Sequence, residues 1–435
     1  MLDQLKEIIL DGQETAWLTG VPRRLAMAQV AGKASVCIGV RRSGKSTFLF
    51  QHMQRLLDAG VSRQNLLYLN FFDDRLHGLR QAGLGLVLEA YYALYPQKKQ
   101  TEKVYCFFDE MQVMPDWEPF IDRLLRTELC EVTITGSSAH LLSREIATQM
   151  RGRALSWEMF PFSFREFLDW LGIEATDALS TRQRLLVQNA FDQYWEVGGF
   201  PEVAGLDRRL RIKIHQEYFH AVLFRDVVER HDVSHPKAAA DLAHWLVNNI
   251  ASLYSLNNLT GYLKSLGHKV PKAVVADYLA WFEDAYFLFT VRLFDASLSR
   301  ANANPKKIYC IDSALVSSVA SGVLLNRGHL LENLVFVALR RITQEIFYFK
   351  SKNGREVDFI ARLPDRSLRL VQVCETLADP QTRKREVQAL TEAMAELGIK
   401  QASIVTRHED GPIETELGTL SVVPAWRFLL DLDRE

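Results

Sequence analysis

The stretch Ala34-Ser-Val-Cys-Ile-Gly-Val40, running on through Gly39-Val-Arg-Arg-Ser-Gly-Lys-Ser-Thr47, decides the fold. Its first part reads as a buried strand, and Gly39–Thr47 matches GxxxxGK[ST] with no departure. A strand before and a helix after is the setting in which such a loop cradles phosphates. The glycines let the backbone curl so that N–H groups face phosphate oxygens, and the helix N-terminus adds partial positive charge. Lys45 is a point charge for the β- and γ-phosphates, the Ser46 hydroxyl can ligate Mg²⁺, and Thr47 belongs near the α-phosphate. The cofactors expected are ATP and Mg²⁺, held by Gly39, Val40, Arg41, Arg42, Ser43, Gly44, Lys45, Ser46 and Thr47.

Outward from this loop, a helix is predicted through Phe48, Leu49 and Met53 to Leu57. Strands are predicted at Asn65–Phe71, Val104–Glu110, Glu131–Ser138 and Ala154–Phe160. Apolar strands alternating with helices imply a parallel sheet covered on both faces. Residues 1–33 read as a helical lead-in broken at Gly20–Pro22. Beyond Pro161 the pattern is helical to about residue 240, interrupted by the turn Gly198-Gly-Phe-Pro201. A second α/β pattern begins at Gly328. There is no internal repeat and no low-complexity linker.

The strand Tyr105–Phe108 ends in Asp109-Glu110. Asp109 is placed to hold the Mg²⁺ shell, and Glu110 to orient and deprotonate the attacking water. An apolar strand capped by two acids is common, but this one follows a P-loop, and Glu110 separates hydrolysis from nucleotide sensing alone. In Thr133-Ile-Thr-Gly-Ser-Ser138, Ser137 is the candidate γ-phosphate sensor and Ser138 the alternative; a plain Gly-Ser turn competes with both. Arg153, with Arg151 beside it, is the candidate arginine for charge developing on the γ-phosphoryl group, within one chain or across an interface. Two solvated turn arginines are the plainer alternative. Arg225 and Arg230 compete with them, or else pair with Asp226 and Glu229.

At 435 residues the chain exceeds one ordinary core. Its net charge of −1 advertises no global basic field, so any nucleic-acid surface must be local. Five widely spaced cysteines without a CxxC pair imply reduced thiols, no zinc site and a cytoplasmic setting. The charged N-terminus lacks the apolar core of a secretory signal, and no stretch is apolar enough to span a membrane.

GVRRSGKST, FFDEMQ, ITGSSAHLLSREI, RGR and FPFSFREFL together resemble a large group of prokaryotic P-loop ATPases of the AAA+-like class that carry a C-terminal domain of unknown function. The resemblance continues through YWEVGGFPEV, LFRDVVERHDV, KIYCIDSALV, LLENLVFVALRR, EVDFI and QTRKREVQAL, nearly the whole chain. It implies an α/β P-loop NTPase core at 1–165, a helical lid at 166–240, a winged-helix-like module at 241–320 and a nuclease-like α/β domain at 321–435.

Leu256–Gly267 followed by Val270–Phe282 reads as helix, turn, helix, with YFLFTVRLF and KKIYCID as the strands of a wing. Lys264, Lys269 and Lys272, with Lys306 and Lys307 near the wing, are the candidate DNA contacts, offset by Asp277, Glu283 and Asp284. A packing or oligomerisation module would look similar. In the terminal segment, Glu332, Asp358, Gln372 and Cys374 resemble the PD-(D/E)XK nuclease layout. Gln372 stands at the second carboxylate and Cys374 at the lysine, so a catalytically silent, binding fold is expected, with Glu375 a substitute only if the register shifts. The reading is a Mg²⁺-dependent, self-associating ATPase that couples hydrolysis to conformational change on a partner, DNA foremost. The alternatives are an ATP-controlled switch for protein partners and, less favoured, an active ATP-dependent nuclease.

Overall fold

The computed structural model describes residues 1–138, 150, 152–176, 178–320 and 326–433. The chain divides into one unit of Met1–Phe160 with Asp284–Tyr286, and a second of Pro161–Glu283 with Phe287–Glu435.

In the first unit, β1 (Ala34–Ile38), β2 (Leu66–Asn70), β3 (Val104–Asp109), β4 (Cys130–Gly136) and β5 (Ala154–Glu158) form one sheet in the order β2-β3-β4-β1-β5. Every neighbouring pair is parallel, as expected for a P-loop NTPase core. Parallel pairing puts all the carboxyl ends on one edge, so the segments following β1, β3 and β4 meet there. The helix Lys45–Asp58 buries Phe48, Leu49 and Met53. Leu49 and Met53 pack on Leu66 and Phe107, and Phe48 packs on Cys37 and Met159. Each such side chain contributes about 1.5–3 kcal/mol through burial, which anchors the loop before this helix to the sheet.

Two glycines of that loop are needed for their backbone. Gly39 has φ 157°, and a Cβ there would run into the Met159 carbonyl oxygen. Gly44 caps the helix at φ 96°, a conformation glycine adopts without strain.

The second unit begins with helices Phe164–Leu171, Thr181–Val197 and Arg208–Ala221. The last continues into a π-helical stretch, Val222–Glu229. Helices Pro236–Asn248, Leu256–Ser265 and Lys272–Asp284 follow, and the last two give the expected helix-turn-helix. Then come β6 (Leu253–Tyr254, before Leu256–Ser265 in the chain), β7 (Leu288–Leu293), β8 (Lys306–Cys310), β9 (Ile346–Lys350), β10 (Glu356–Arg362), β11 (Leu368–Val373), β12 (Gln401–Thr406), β13 (Gly411–Thr415) and β14 (Gly418–Pro424).

These nine strands form one mixed sheet, β13-β14-β12-β11-β10-β9-β7-β8-β6. β7 pairs in parallel with β9 through Arg292–Phe347 and Leu293–Tyr348. The strands expected to form a wing pair with each other as an antiparallel hairpin, and both are interior strands of the sheet that carries the terminal segment. Their residues Ile308, Tyr309 and Cys310 are buried. Helix Pro380–Leu397 covers this sheet, setting Leu390 and Met394 among Val357, Ile360, Leu370, Ile404 and Leu420. All five cysteines are free. Among the described residues, no helix is long and apolar enough to cross a membrane.

Candidate functional site

The carboxyl edge of the first sheet brings Lys45, Ser46, Asp109, Glu110 and Ser137 together. Lys45 is buried, its Nζ donating to the Gly39 and Val40 carbonyls at 2.9 and 3.0 Å and lying 3.8 Å from Glu110 Oε1. Asp109 is fully buried. The Ser46 and Thr135 hydroxyls hydrogen-bond its carboxylate, and Tyr68 OH donates to Oδ2 at 3.2 Å. Burial, then the neighbouring Glu110 charge, raises the Asp109 pKa; Ser46, Thr135 and Lys45 oppose the rise. A buried carboxylate bonded to a serine hydroxyl is a hard-oxygen donor pair, and its resistance to ionising alone marks a place suited to a cation. Ser46 and Asp109 thus fit Mg²⁺.

Glu110 occupies the left-handed region at φ 56°, unusual for a side chain of its size. Its backbone N–H donates to Thr135 Oγ1 at 3.0 Å, and the carboxylate faces Lys45. Arg23 straps the P-loop from outside, donating to the Ser43 carbonyl and, at 2.7 Å, to the Phe160 carbonyl. Arg41 lies 5.2 Å from the centre of the Phe72 ring. Thr135, Tyr68, Gln112 and Arg23 escaped the sequence reading. Thr135 and Gln112 lie inside quoted motifs, where strand alternation would have aimed Thr135 at Asp109; nothing local marks Tyr68 or Arg23.

The two serines separate. Ser137 is buried beside Glu110 and linked to it through Gln112, whereas Ser138 donates to both Asp284 oxygens at 2.8 and 2.9 Å. Arg153 is not brought to the P-loop. It precedes β5, whose Ala154 is level with Ala34 at the opposite end of the strands. Five residues at ~3.3 Å each put it roughly 16 Å along the sheet. Its guanidinium lies 3.6 Å from Asp122, so a part in hydrolysis within this chain is excluded by position. Arg151 lies outside the described residues, as does most of AHLLSREI. Arg225 and Arg230 belong to the π-helical region of the second unit, where Arg230 pairs with Asp226 at 2.7 Å.

In the second unit, Lys307 corrects a sequence expectation. It is buried rather than presented to DNA. Its Nζ lies 2.9 Å from Glu332 Oε1, 2.8 Å from Glu356 Oε1 and 2.9 Å from Asp358 Oδ1. Tyr309 OH donates to Glu332 Oε1 at 2.7 Å, and the Val373 N–H to Asp358 Oδ2 at 2.9 Å. Burial, then the Asp358 charge, pushes the Glu332 pKa up to about 8. Desolvation works against the Lys307 charge, but the attraction of Asp358 and its neighbours wins and its pKa is raised. The ammonium absent from position 374 is thus supplied from β8.

Gln372 spends its amide on Glu386 at 2.8 Å and on the Asp358 N–H at 3.2 Å. Among the described residues, no group of three His, Cys, Asp or Glu side chains is arranged to hold a metal ion. With an ammonium already between the carboxylates, the residues here do not fit the metal of a nuclease. The cavity beside them, about 710 Å³, is lined by more carboxylates than cations, an unfavourable surround for a phosphodiester.

A family described as an AAA domain matches residues 31–168. Two families described as domains of unknown function match residues 188–324 and 327–428. An uncharacterized protein of Methanocaldococcus jannaschii is 32% identical over 437 residues, covering 98% of this chain and 95% of that protein. An uncharacterized protein of Haemophilus influenzae is 28% identical over 335 residues, covering 77% of this chain and 80% of that one. Among solved structures, the Aeropyrum pernix ORC1 protein in complex with DNA overlaps loosely, at 14% identity and a TM-score of 0.31, over 77% of this chain and 91% of that one. AMPPCP-bound DnaA from Aquifex aeolicus does so at 12% and 0.25, over 64% and 85%. The chain belongs to the family of the Methanocaldococcus jannaschii protein, and its residues 31–168 match the family described as an AAA domain.

Proposed function

We propose that this chain is a Mg²⁺-dependent ATPase that couples hydrolysis to a conformational change on a bound partner. The observation that carries the reading is the convergence of Lys45, Ser46, Asp109 and Glu110 at one sheet edge, with Ser46 bonded to Asp109 and Lys45 3.8 Å from Glu110. With ATP in the loop, Lys45 exchanges its two carbonyl partners for phosphate oxygens. Ser46 and Asp109 would hold Mg²⁺, whose bound charge would offset that of the phosphates. Glu110 accepts a proton from water as the water oxygen bonds to the γ-phosphorus. The bond from that phosphorus to the bridging oxygen breaks, and ADP and phosphate leave. Ser137 senses the γ-phosphate, and an arginine from a second copy, Arg153 being the candidate, completes the site.

DNA is the partner this reading favours, supported by the helix-turn-helix Leu256–Ser265 and Lys272–Asp284, on which Lys264, Lys269 and Lys272 are exposed. The loss of Lys307 from that basic set favours the second reading, a switch acting on protein partners. The terminal segment serves binding rather than cleavage under either.

The test is ATP hydrolysis with and without single-stranded, duplex and branched DNA at two salt concentrations. Lys45→Ala is expected to abolish nucleotide binding. Glu110→Gln keeps binding and loses turnover by roughly 100-fold or more; normal hydrolysis by that variant would remove Glu110 as the base. Stimulation that fades with salt identifies DNA as the partner, and indifference to every DNA leaves the protein-directed switch.

A further inference from the structure

Gln112 lies where base and sensor meet. It sits in the 3-10 turn Met111–Val113 that follows β3. Its side-chain nitrogen donates to Glu110 Oε2 at 2.5 Å and to Ser137 Oγ at 3.2 Å, which commits both amide protons. Flipping the amide would set its oxygen against the Glu110 carboxylate, acceptor against acceptor, so the network fixes its orientation. The carbonyl oxygen left over is buried and accepts no hydrogen bond. Such an acceptor costs about 1–3 kcal/mol, and uncompensated ones are rare in folded proteins. A water poised to attack phosphorus offers two protons. Glu110 takes one, and the second needs an acceptor.

We propose that Gln112 belongs to the hydrolytic machinery, clipping Glu110 to Ser137 through its amide nitrogen and orienting the attacking water through its carbonyl oxygen. The inference rests on the ATPase reading above and deepens it. Because one nitrogen serves both groups, a shift of Ser137 toward a γ-phosphate alters the hold on Glu110. Base and sensor then move as a pair, and Glu110 is set for proton abstraction only when the third phosphate is present. Glutamine is suited to this, since its amide carries two donors and an acceptor without a charge that would repel the base. A glutamine that orients attacking water is known chemistry in other phosphoryl-transfer sites.

The experiment compares the full chain with Lys45→Ala, Glu110→Gln, Gln112→Met and the double variant Glu110→Gln/Gln112→Met, measuring turnover, KM, binding of a fluorescent ATP analogue and melting temperature. Methionine keeps the volume and removes every polar group. Gln112→Met is expected to bind nucleotide and melt like the parent while kcat falls roughly 100-fold at unchanged KM. The double variant is expected to be no slower than Glu110→Gln alone, because residues acting as a unit are not additive.

Parent-like kcat in Gln112→Met, or a loss that adds in full to that of Glu110→Gln, overturns the proposal. Should Gln112→Met fail to fold, Gln112→Glu is the second variant. It keeps the shape, loses both donors and sets a like charge against the base, so a deeper loss is expected and parent-like turnover again overturns the proposal. Absence of any turnover that depends on Lys45 in the parent protein defeats the ATPase reading itself, which is a separate result.

Discussion

Lys307 and Glu332 show how one side chain changes the meaning of its neighbours. Burial, then the Asp358 charge, outweighs the pull of the Lys307 ammonium, so Glu332 holds its proton to about pH 8 against an ordinary 4.5. The sign follows from proton binding. Between those values the unfolded chain releases the proton while the folded chain keeps it. The stabilising contribution of Glu332 is therefore complete below about 4.5 and is lost as pH rises to about 8. Chemical denaturation across that window is expected to show stability declining in the parent and a flatter profile in Glu332→Gln. Lys307→Met strands the remaining buried carboxylates and is expected to cost about 3–5 kcal/mol. Glu332 and Asp358 were legible as a pair from the nuclease-like layout; the place of Lys307 between them was not. Lys307 lies 51 residues from Asp358, and the pairing of β7 with β9 and the helix Arg327–Ile342 packed on both β8 and β10 bring it near. Lys45, Ser46, Asp109 and Glu110 were legible because loop and strand chemistry fix their places locally, while Arg153 sat near the right motifs but on the wrong end of β5.

At the level of elements, the parallel strands of the first unit were readable because each is a short apolar run bounded by turn residues. Even there the interaction of Gly39 with the segment after β5 lay beyond local pattern. Met159 N donates to Ile38 O at 2.6 Å, so the two backbones run in contact just before the phosphate loop. Gly39→Ala must displace one of them. The expected outcome is a loss of about 1–3 kcal/mol in the first unit and weaker nucleotide binding, seen as a lower melting temperature that added ATP restores only in part. The wing strands were legible in part for a related reason. YFLFTVRLF and KKIYCID pair as the expected antiparallel hairpin, but a hairpin signal says nothing about a further strand added at its edge, here β9. The π-helical stretch Val222–Glu229 has no sequence signature that the 3.6-residue pattern could expose, whereas the Arg230–Asp226 pair beside it follows the i, i+4 spacing read from the sequence.

Taken whole, the chain joins a unit built on a parallel five-stranded sheet to a second unit whose nine-stranded sheet spans the boundary expected at residue 320. The helical and α/β character on either side of Pro161 was legible from composition; the sharing of one sheet was not, because β7–β9 pairing links residues more than fifty positions apart. A fragment starting at residue 321 would present the bare edge of β9 and lose Lys307 from among its acids. It is expected to be insoluble or to aggregate, whereas a fragment starting at Pro161 keeps both; size-exclusion chromatography of the two distinguishes these outcomes. The same pairing bears on inheritance. A recombination event that moved the terminal segment alone would leave β9 unpaired on one side and part Lys307 from its acids, a cost that moving β7 and β8 with it avoids.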